Sequence, residues 1–158
     1  MKKTELRLND FLPYRLSIAS NLVSDAISSA YSKLFGLTIP EWRLIAVIAE
    51  TDGITQQEVG VRTRMDKVTV SRAAIALTDR ELLLRAPNPK DGRSQLLTLS
   101  DTGKELYRQV APQALALEQS IFGAIPEAEL ARFSETLQRI TDSAETMMSR
   151  KGVTSSPA

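Results

Sequence analysis

Leu12, Leu16, Ala19, Val23, Ala26 or Ile27, Ala30 and Leu34 recur at steps of three or four residues. That spacing predicts one long amphipathic helix over residues 10–35, ended by Gly36. Thr38 and Glu41 then form a capping box with Pro40 in the first turn, opening a helix to about Glu50. Thr55 and Glu58 form a second capping box, flanked by Ile54 and Val59 at the spacing of a hydrophobic staple, and predict a short helix to about Arg62. Asp66 is placed to cap a further helix to about Arg80, with Val70, Ala74 and Leu77 as its buried stripe.

Residues 82–86 and 95–99 are short apolar runs on either side of Pro87-Asn88-Pro89-Lys90-Asp91-Gly92-Arg93-Ser94, a segment suited to a hairpin tip. Ser100 can cap a helix from residue 101 to about 122, in which Pro112 is expected to kink the axis or split the helix. Pro126 opens the last helix. There Leu130, Phe133, Leu137, Ile140, Ala144 and Met147 alternate steps of three and four, a heptad seam that asks for another helix. Packing within the chain and packing against a second subunit both satisfy it; the latter is preferred, with Leu130, Phe133, Leu137 and Ile140 as dimerisation residues. Residues 151–158 are small and polar and are expected to fray.

Helix, helix, turn, helix, strand, basic hairpin and strand in this order define a winged helix-turn-helix. The fold class is therefore mainly α (α+β), with helical N- and C-terminal segments flanking a DNA-binding lobe. A single domain over residues 1–158 is expected, with the lobe at 38–100 and a helical dimerisation region at 10–35 and 101–150.

Composition narrows the chemistry. The chain of 158 residues contains no cysteine and no histidine, which removes disulfides, thiol redox sensing, Ser-His and Cys-His catalysis and the commonest zinc ligands. Neither a P-loop nor a G-x-G-x-x-G motif is present, so no cofactor and no enzymatic activity are expected. The longest apolar run, residues 44–49, is far short of the ~20 residues that span a bilayer, and the N-terminal stretch lacks the apolar core of a signal peptide. A cytoplasmic protein without membrane contact is the expectation.

The net charge of +1 is unevenly spread: residues 60–93 hold eight bases and four acids, a local excess of four positive charges. On the helix opening at Asp66, the side chains left over from the core stripe include Lys67, Thr69, Ser71 and Arg72. All can hydrogen-bond, and all lie near the helix N-terminus, where they can reach base edges or phosphates. Arg72 suits bidentate contact with guanine, and Lys67 suits a phosphate. An ordinary solvated face is the alternative for this stretch alone. In the hairpin, Lys90 and Arg93 supply positive charge and Arg93 can enter a minor groove. Asp91 either positions the neighbouring guanidinium or serves only as a turn residue.

The run Met65-Asp66-Lys67-Val68-Thr69-Val70-Ser71-Arg72, with Asp91-Gly92-Arg93 and Leu99-Ser100-Asp101-Thr102-Gly103, resembles the signature of the MarR family, and the likeness extends over residues 10–150. The resemblance implies an obligate homodimer built by the terminal helices, and a regulator, commonly a repressor, of double-stranded DNA. It also implies a recognition helix carrying Lys67, Thr69, Ser71 and Arg72, and a wing arginine at Arg93 braced by Asp91. Gly92 departs from the pattern, since the family's wing has arginine or another long residue there. Family members commonly release DNA when a small aromatic or phenolic acid binds between the dimerisation helices and the lobe. Tyr14, Arg15 and Trp42 are the candidates for such a site, Arg15 as a partner for a carboxylate. Each has a plainer role open to it: an ion pair across the dimer for Arg15, and core aromatics for Tyr14 and Trp42. A winged-helix module that docks protein is the reading from another class.

Overall fold

The computed structural model describes residues 5–153. A single 3-10 turn at Leu8–Asp10 precedes helix α1 (Leu12–Ser28), which carries Pro13 in its first turn, and the four-residue helix α2 (Ser32–Phe35). Helices α3 (Ile39–Ala49), α4 (Gln56–Thr63) and α5 (Lys67–Asp79) follow. Strands β1 (Leu83–Pro87) and β2 (Gln95–Leu99) then form an antiparallel hairpin, and helices α6 (Asp101–Phe122) and α7 (Glu127–Val153) complete the order. The chain divides after Leu117 into two compact units.

The long first helix expected over residues 10–35 is instead broken at Ser29–Tyr31. There the backbone N–H groups of Ser29, Ala30 and Tyr31 all donate three residues back, to Ala26, Ile27 and Ser28, tightening the last turn to 3-10 geometry. The Ser28 and Ser29 hydroxyls donate at 2.7 Å to the carbonyls of Asp25 and Ala26, claiming acceptors that a continuing helix would use. The redirection buries Ala30 and Tyr31, and Gly36 then ends α2 at φ 61°, a left-handed position that glycine adopts without strain.

The other helix starts follow their local chemistry. Thr38 and Glu41 form the reciprocal capping box, as do Thr55 and Glu58, and the Asp66 carboxylate accepts from the Thr69 N–H at 2.8 Å. Pro112 lies inside α6 without splitting it. The end of the chain expected to fray is helical as far as Val153, and its remaining residues lie outside the described ones.

In the first unit the buried core joins Ala30, Tyr31 and Leu37 to Leu44, Ile45 and Ile48 of α3, Val59 of α4, and Val70, Ala73, Ala74 and Leu77 of α5. Ile54 and Leu82, with Leu83, Leu97 and Leu99 of the strands and Leu106 and Val110 of α6, complete it. The hairpin begins one residue later than expected, with Leu83 opposite Leu99 and Pro87 opposite Gln95, and Ile54 adds a bridge to Leu97. Thus the same core that seats α5 also fixes the base of the hairpin.

Ser100 joins the hairpin to α6. Its hydroxyl accepts from the Gly103 N–H at 3.0 Å and donates to the Glu81 carbonyl at 2.6 Å, while its own N–H donates to Leu82. A Cβ at Gly103 would stand 2.2 Å from the Leu82 carbonyl oxygen, so only glycine permits this approach. Gly103→Ala is therefore expected to destabilise the fold by about 1–3 kcal/mol through forced backbone displacement. Urea unfolding reads this as a lower midpoint; an unchanged midpoint would show that the contact is soft.

Candidate nucleic-acid interface

Helices α4 and α5 are joined by a three-residue turn, Arg64–Asp66, in which Arg64 adopts φ 59°. The inner face of α5 is consumed by Val70, Ala73, Ala74 and Leu77, which are buried. Lys67, Val68, Arg72, Ile75 and Asp79 are exposed, and Thr69 and Ser71 are half-buried. At 100° per residue, Val68, Arg72, Ile75 and Asp79 form the ridge opposite the core stripe, with Ser71 and Lys67 on one flank and Thr69 on the other.

Thr69 is engaged locally. Its hydroxyl donates to one Asp66 carboxylate oxygen at 2.9 Å while its N–H donates to the other. These bonds, the backbone one foremost, hold the Asp66 carboxyl below the usual carboxylate range. The cap's contribution is thus present above the ordinary carboxylate pKa and is lost as pH falls through the lowered one. A second function follows from the same bond: Thr69 stiffens the helix entrance and retains only hydroxyl acceptor capacity for a ligand.

The hairpin tip is cross-braced. Asn88 donates through its side-chain amide to the Ser94 hydroxyl at 2.9 Å and accepts from the Lys90 N–H at 3.1 Å. Asp91 accepts from the Arg93 N–H through its carboxylate at 3.0 Å and from Ser94 through its carbonyl. The expected brace on Arg93 is therefore made to its backbone rather than to its guanidinium, which leaves the latter exposed and uncommitted.

Seven of the eight bases of residues 60–93 sort by this test. Arg62 pairs with Glu50, Arg80 donates to the carbonyls of Phe35 and Gly36 at the end of α2, and Arg85 donates to Gln56 Oε1 at 2.9 Å, tying β1 to α4. Lys67, Arg72, Lys90 and Arg93 are exposed, and their side chains make no hydrogen bond or salt bridge among the described residues. The four are those expected to meet DNA. Sequence reasoning had no means of separating Arg62, Arg80 and Arg85 from them, because their partners lie twelve to forty-five residues away.

The candidate effector residues are dispersed in character. Tyr14 and Arg15 are exposed near the start of α1, whereas Trp42 is stacked between Tyr31, at 5.4 Å and 21°, and Tyr107, at 5.8 Å and 17°. Trp42 thus has a packing role linking α3 to Tyr31 and α6, and burial pushes the Tyr31 phenol above its usual pKa. Among the described residues no group of three or more histidines, cysteines or carboxylates is placed to hold a metal, and no helix is long and apolar enough to cross a membrane.

A bracing helix, a solvent-facing helix with free bases and a basic hairpin beside it define a winged helix-turn-helix nucleic-acid-binding protein. A sequence profile of the MarR family matches residues 35–94, spanning α3 to the hairpin tip. The chain is 22% identical over 143 residues to the transcriptional repressor IacR of Pseudomonas putida, covering 90% of this chain and 85% of that one. Its fold matches the PcaV transcriptional regulator of Streptomyces coelicolor, solved with its natural ligand, at a TM-score of 0.74 and 26% identity, covering 90% of this chain and 99% of that one. A MarR family regulator of the same organism, solved in complex with DNA, matches at a TM-score of 0.79 and 20% identity over 90% and 91% of the two chains. Residues 35–94 thus match the MarR family of transcriptional regulators, and over nine tenths of the chain the fold is that of MarR-family structures.

Gly92, where the family's wing has a long residue, stands in open space. No atom lies within 4 Å of the place a Cβ would occupy there, and its backbone is outside the left-handed region. Gly92→Arg is therefore expected to fold normally and to add one phosphate contact per wing, steepening the log–log salt dependence of DNA binding by about 0.9 per subunit. An unchanged slope would place the wing tip away from the backbone.

Proposed function

We propose that the chain is a homodimeric, ligand-responsive repressor that binds a pseudo-palindromic operator in double-stranded DNA. The observation carrying this reading is the set of four uncommitted bases, Lys67, Arg72, Lys90 and Arg93, on the two adjacent elements that protrude from one core. Lys67 and Lys90 neutralise phosphates, Arg72 and Ser71 read base edges in the major groove, and Arg93 enters the minor groove from a tip held by Asp91. Thr69 serves the helix entrance and accepts a hydrogen bond from the duplex.

The lobe at residues 38–100 reads DNA, and the segments at 10–35 and 101–150 dimerise. Apolar side chains that the monomer leaves uncovered support the second part. Leu12 is 71% exposed on α1, and Phe133 and Ile140 are 46% and 44% exposed on α7, in the seam with Leu130 and Leu137. Such exposure on long helices is stabilised by a second copy of the chain. In the dimer the two α5 helices lie about 34 Å apart, one turn of duplex.

Repression is favoured by the likeness to the repressor IacR, and ligand response by the likeness to PcaV, solved with its ligand. A small aromatic or phenolic acid is the effector class, with Tyr14, Arg15 and Trp42 as the candidate residues and Arg15 as the partner for its carboxylate. It acts by population shift: it binds better to dimers whose lobe spacing does not match the duplex, and its differential affinity sets the extent of release. The protein works in the cytoplasm, without a cofactor, as a binding protein rather than an enzyme.

Selection of fragments from the source genome tests the reading. A single enriched pseudo-palindrome with footprints on two successive major grooves is expected, and addition of aromatic acids should release it from the wild type but not from Arg15→Ala. Recovery of random fragments would contradict it.

A further inference from the structure

Val68 is the most conspicuous side chain on α5 that neither the core nor the hydrogen-bonding candidates account for. It sits in the first turn, 58% exposed, on the outward ridge one turn before Arg72. Lys67, Ser71 and Arg72 surround it with hydrogen-bonding groups, and nothing apolar within α5's first turn covers it, since Val70 points into the core. A β-branched residue is a poor helix former, and a solvent-facing position gains nothing from it in the free protein. The surface this ridge faces in the proposed complex is the major groove. Its base edges present donors and acceptors and one apolar feature, the C5-methyl group of thymine.

We infer that Val68 is a specificity-determining residue that packs on a thymine methyl group in each operator half-site. The inference rests on the proposed DNA reading and deepens it. Arg72 fixes the neighbouring position: residues four apart on a helix are separated by about 6 Å along the axis, roughly two base steps of about 3.4 Å. A half-site that pairs a guanine for Arg72 with a thymine within about two steps is the sequence this ridge would select. Ile75, 52% exposed a further turn on, continues the ridge away from the helix entrance.

The test uses the full-length dimer and an operator selected from random duplexes. Each thymine is replaced in turn by uracil, which removes only the methyl group, and affinities are measured for wild type, Val68→Ala and Val68→Ser. At one thymine per half-site, uracil should weaken wild-type binding about threefold to fivefold, and about tenfold or more when both half-sites carry it. The same replacement should change Val68→Ala and Val68→Ser binding by less than about twofold. Both variants alter an exposed position, and unchanged thermal unfolding confirms that they fold. Selection of a clear operator in which every uracil replacement affects all three proteins equally overturns the inference alone. Failure of the wild type to select any sequence overturns the DNA reading and the inference together.

Discussion

Replacing Phe133 and Ile140 together by glutamate is expected to convert the dimer to a monomer in analytical ultracentrifugation and to lower operator affinity by about a hundredfold or more. Both side chains lie on one seam of α7 and are 46% and 44% exposed in the isolated chain, so the charges disturb no core within it. Every member of the buried cluster of the first unit lies between Ala30 and Val110, and the lobe therefore retains its own core. The loss in affinity comes from connectivity. A dimer binds its second half-site at an effective concentration in the millimolar range, and a monomer does not. Two glutamates near their own copies across a two-fold axis add repulsion. Retention of the dimer with unchanged operator binding would remove α7 from the interface.

The second large effect is expected at Arg72. Its guanidinium stands on the outward ridge of α5 with no partner among the described residues, so Arg72→Ala is expected to remove an interaction with DNA and none among those residues. A bidentate contact with guanine discriminates by about 1–3 kcal/mol, and the dimer makes it twice. Affinity for the selected operator should fall by about one to four orders of magnitude, and discrimination should relax at one position per half-site while the salt dependence changes little. Lys67→Ala should do the reverse, weakening all duplexes alike and lowering the salt slope by about 0.9 per subunit. A uniform loss on Arg72→Ala, with sequence preference intact, would make that residue another phosphate contact.

Much of the lobe is legible in the sequence because its signals are local. The capping boxes at Thr38 and Thr55 and the cap at Asp66 each close within three residues, and their hydrogen bonds form as the spacing requires. The turn residues of the hairpin act over the same range. The break at Ser29–Tyr31 was hidden because the apolar period runs straight through it, while the serine hydroxyls that end the helix are equally at home on a solvated face. Thr69 shows a second limit: its spacing from Asp66 suits both a base contact and a cap, and the cap claims its hydroxyl donor. Val68 gives no such signal in the sequence, because its apolar side chain does not read as a hydrogen-bonding contact to a base. Placing it by angle opposite Val70, Ala73 and Ala74 would have marked it as outward-facing. The uncommitted state of Lys67, Arg72, Lys90 and Arg93 depends on partners elsewhere in the fold and could be read only from the structure.

Fluorescence anisotropy across salt concentrations reads sequence-specific DNA binding through α5 and the wing. The wild type and a Lys67→Ala, Arg72→Ala, Arg93→Ala triple variant are compared on the duplex upstream of the gene itself and on a scrambled duplex. Tighter wild-type binding to the upstream duplex, a steep salt dependence, and loss of both in a folded triple variant are the expected results. Equal affinities of wild type and triple variant for the upstream duplex would show that α5 and the wing do not carry DNA binding.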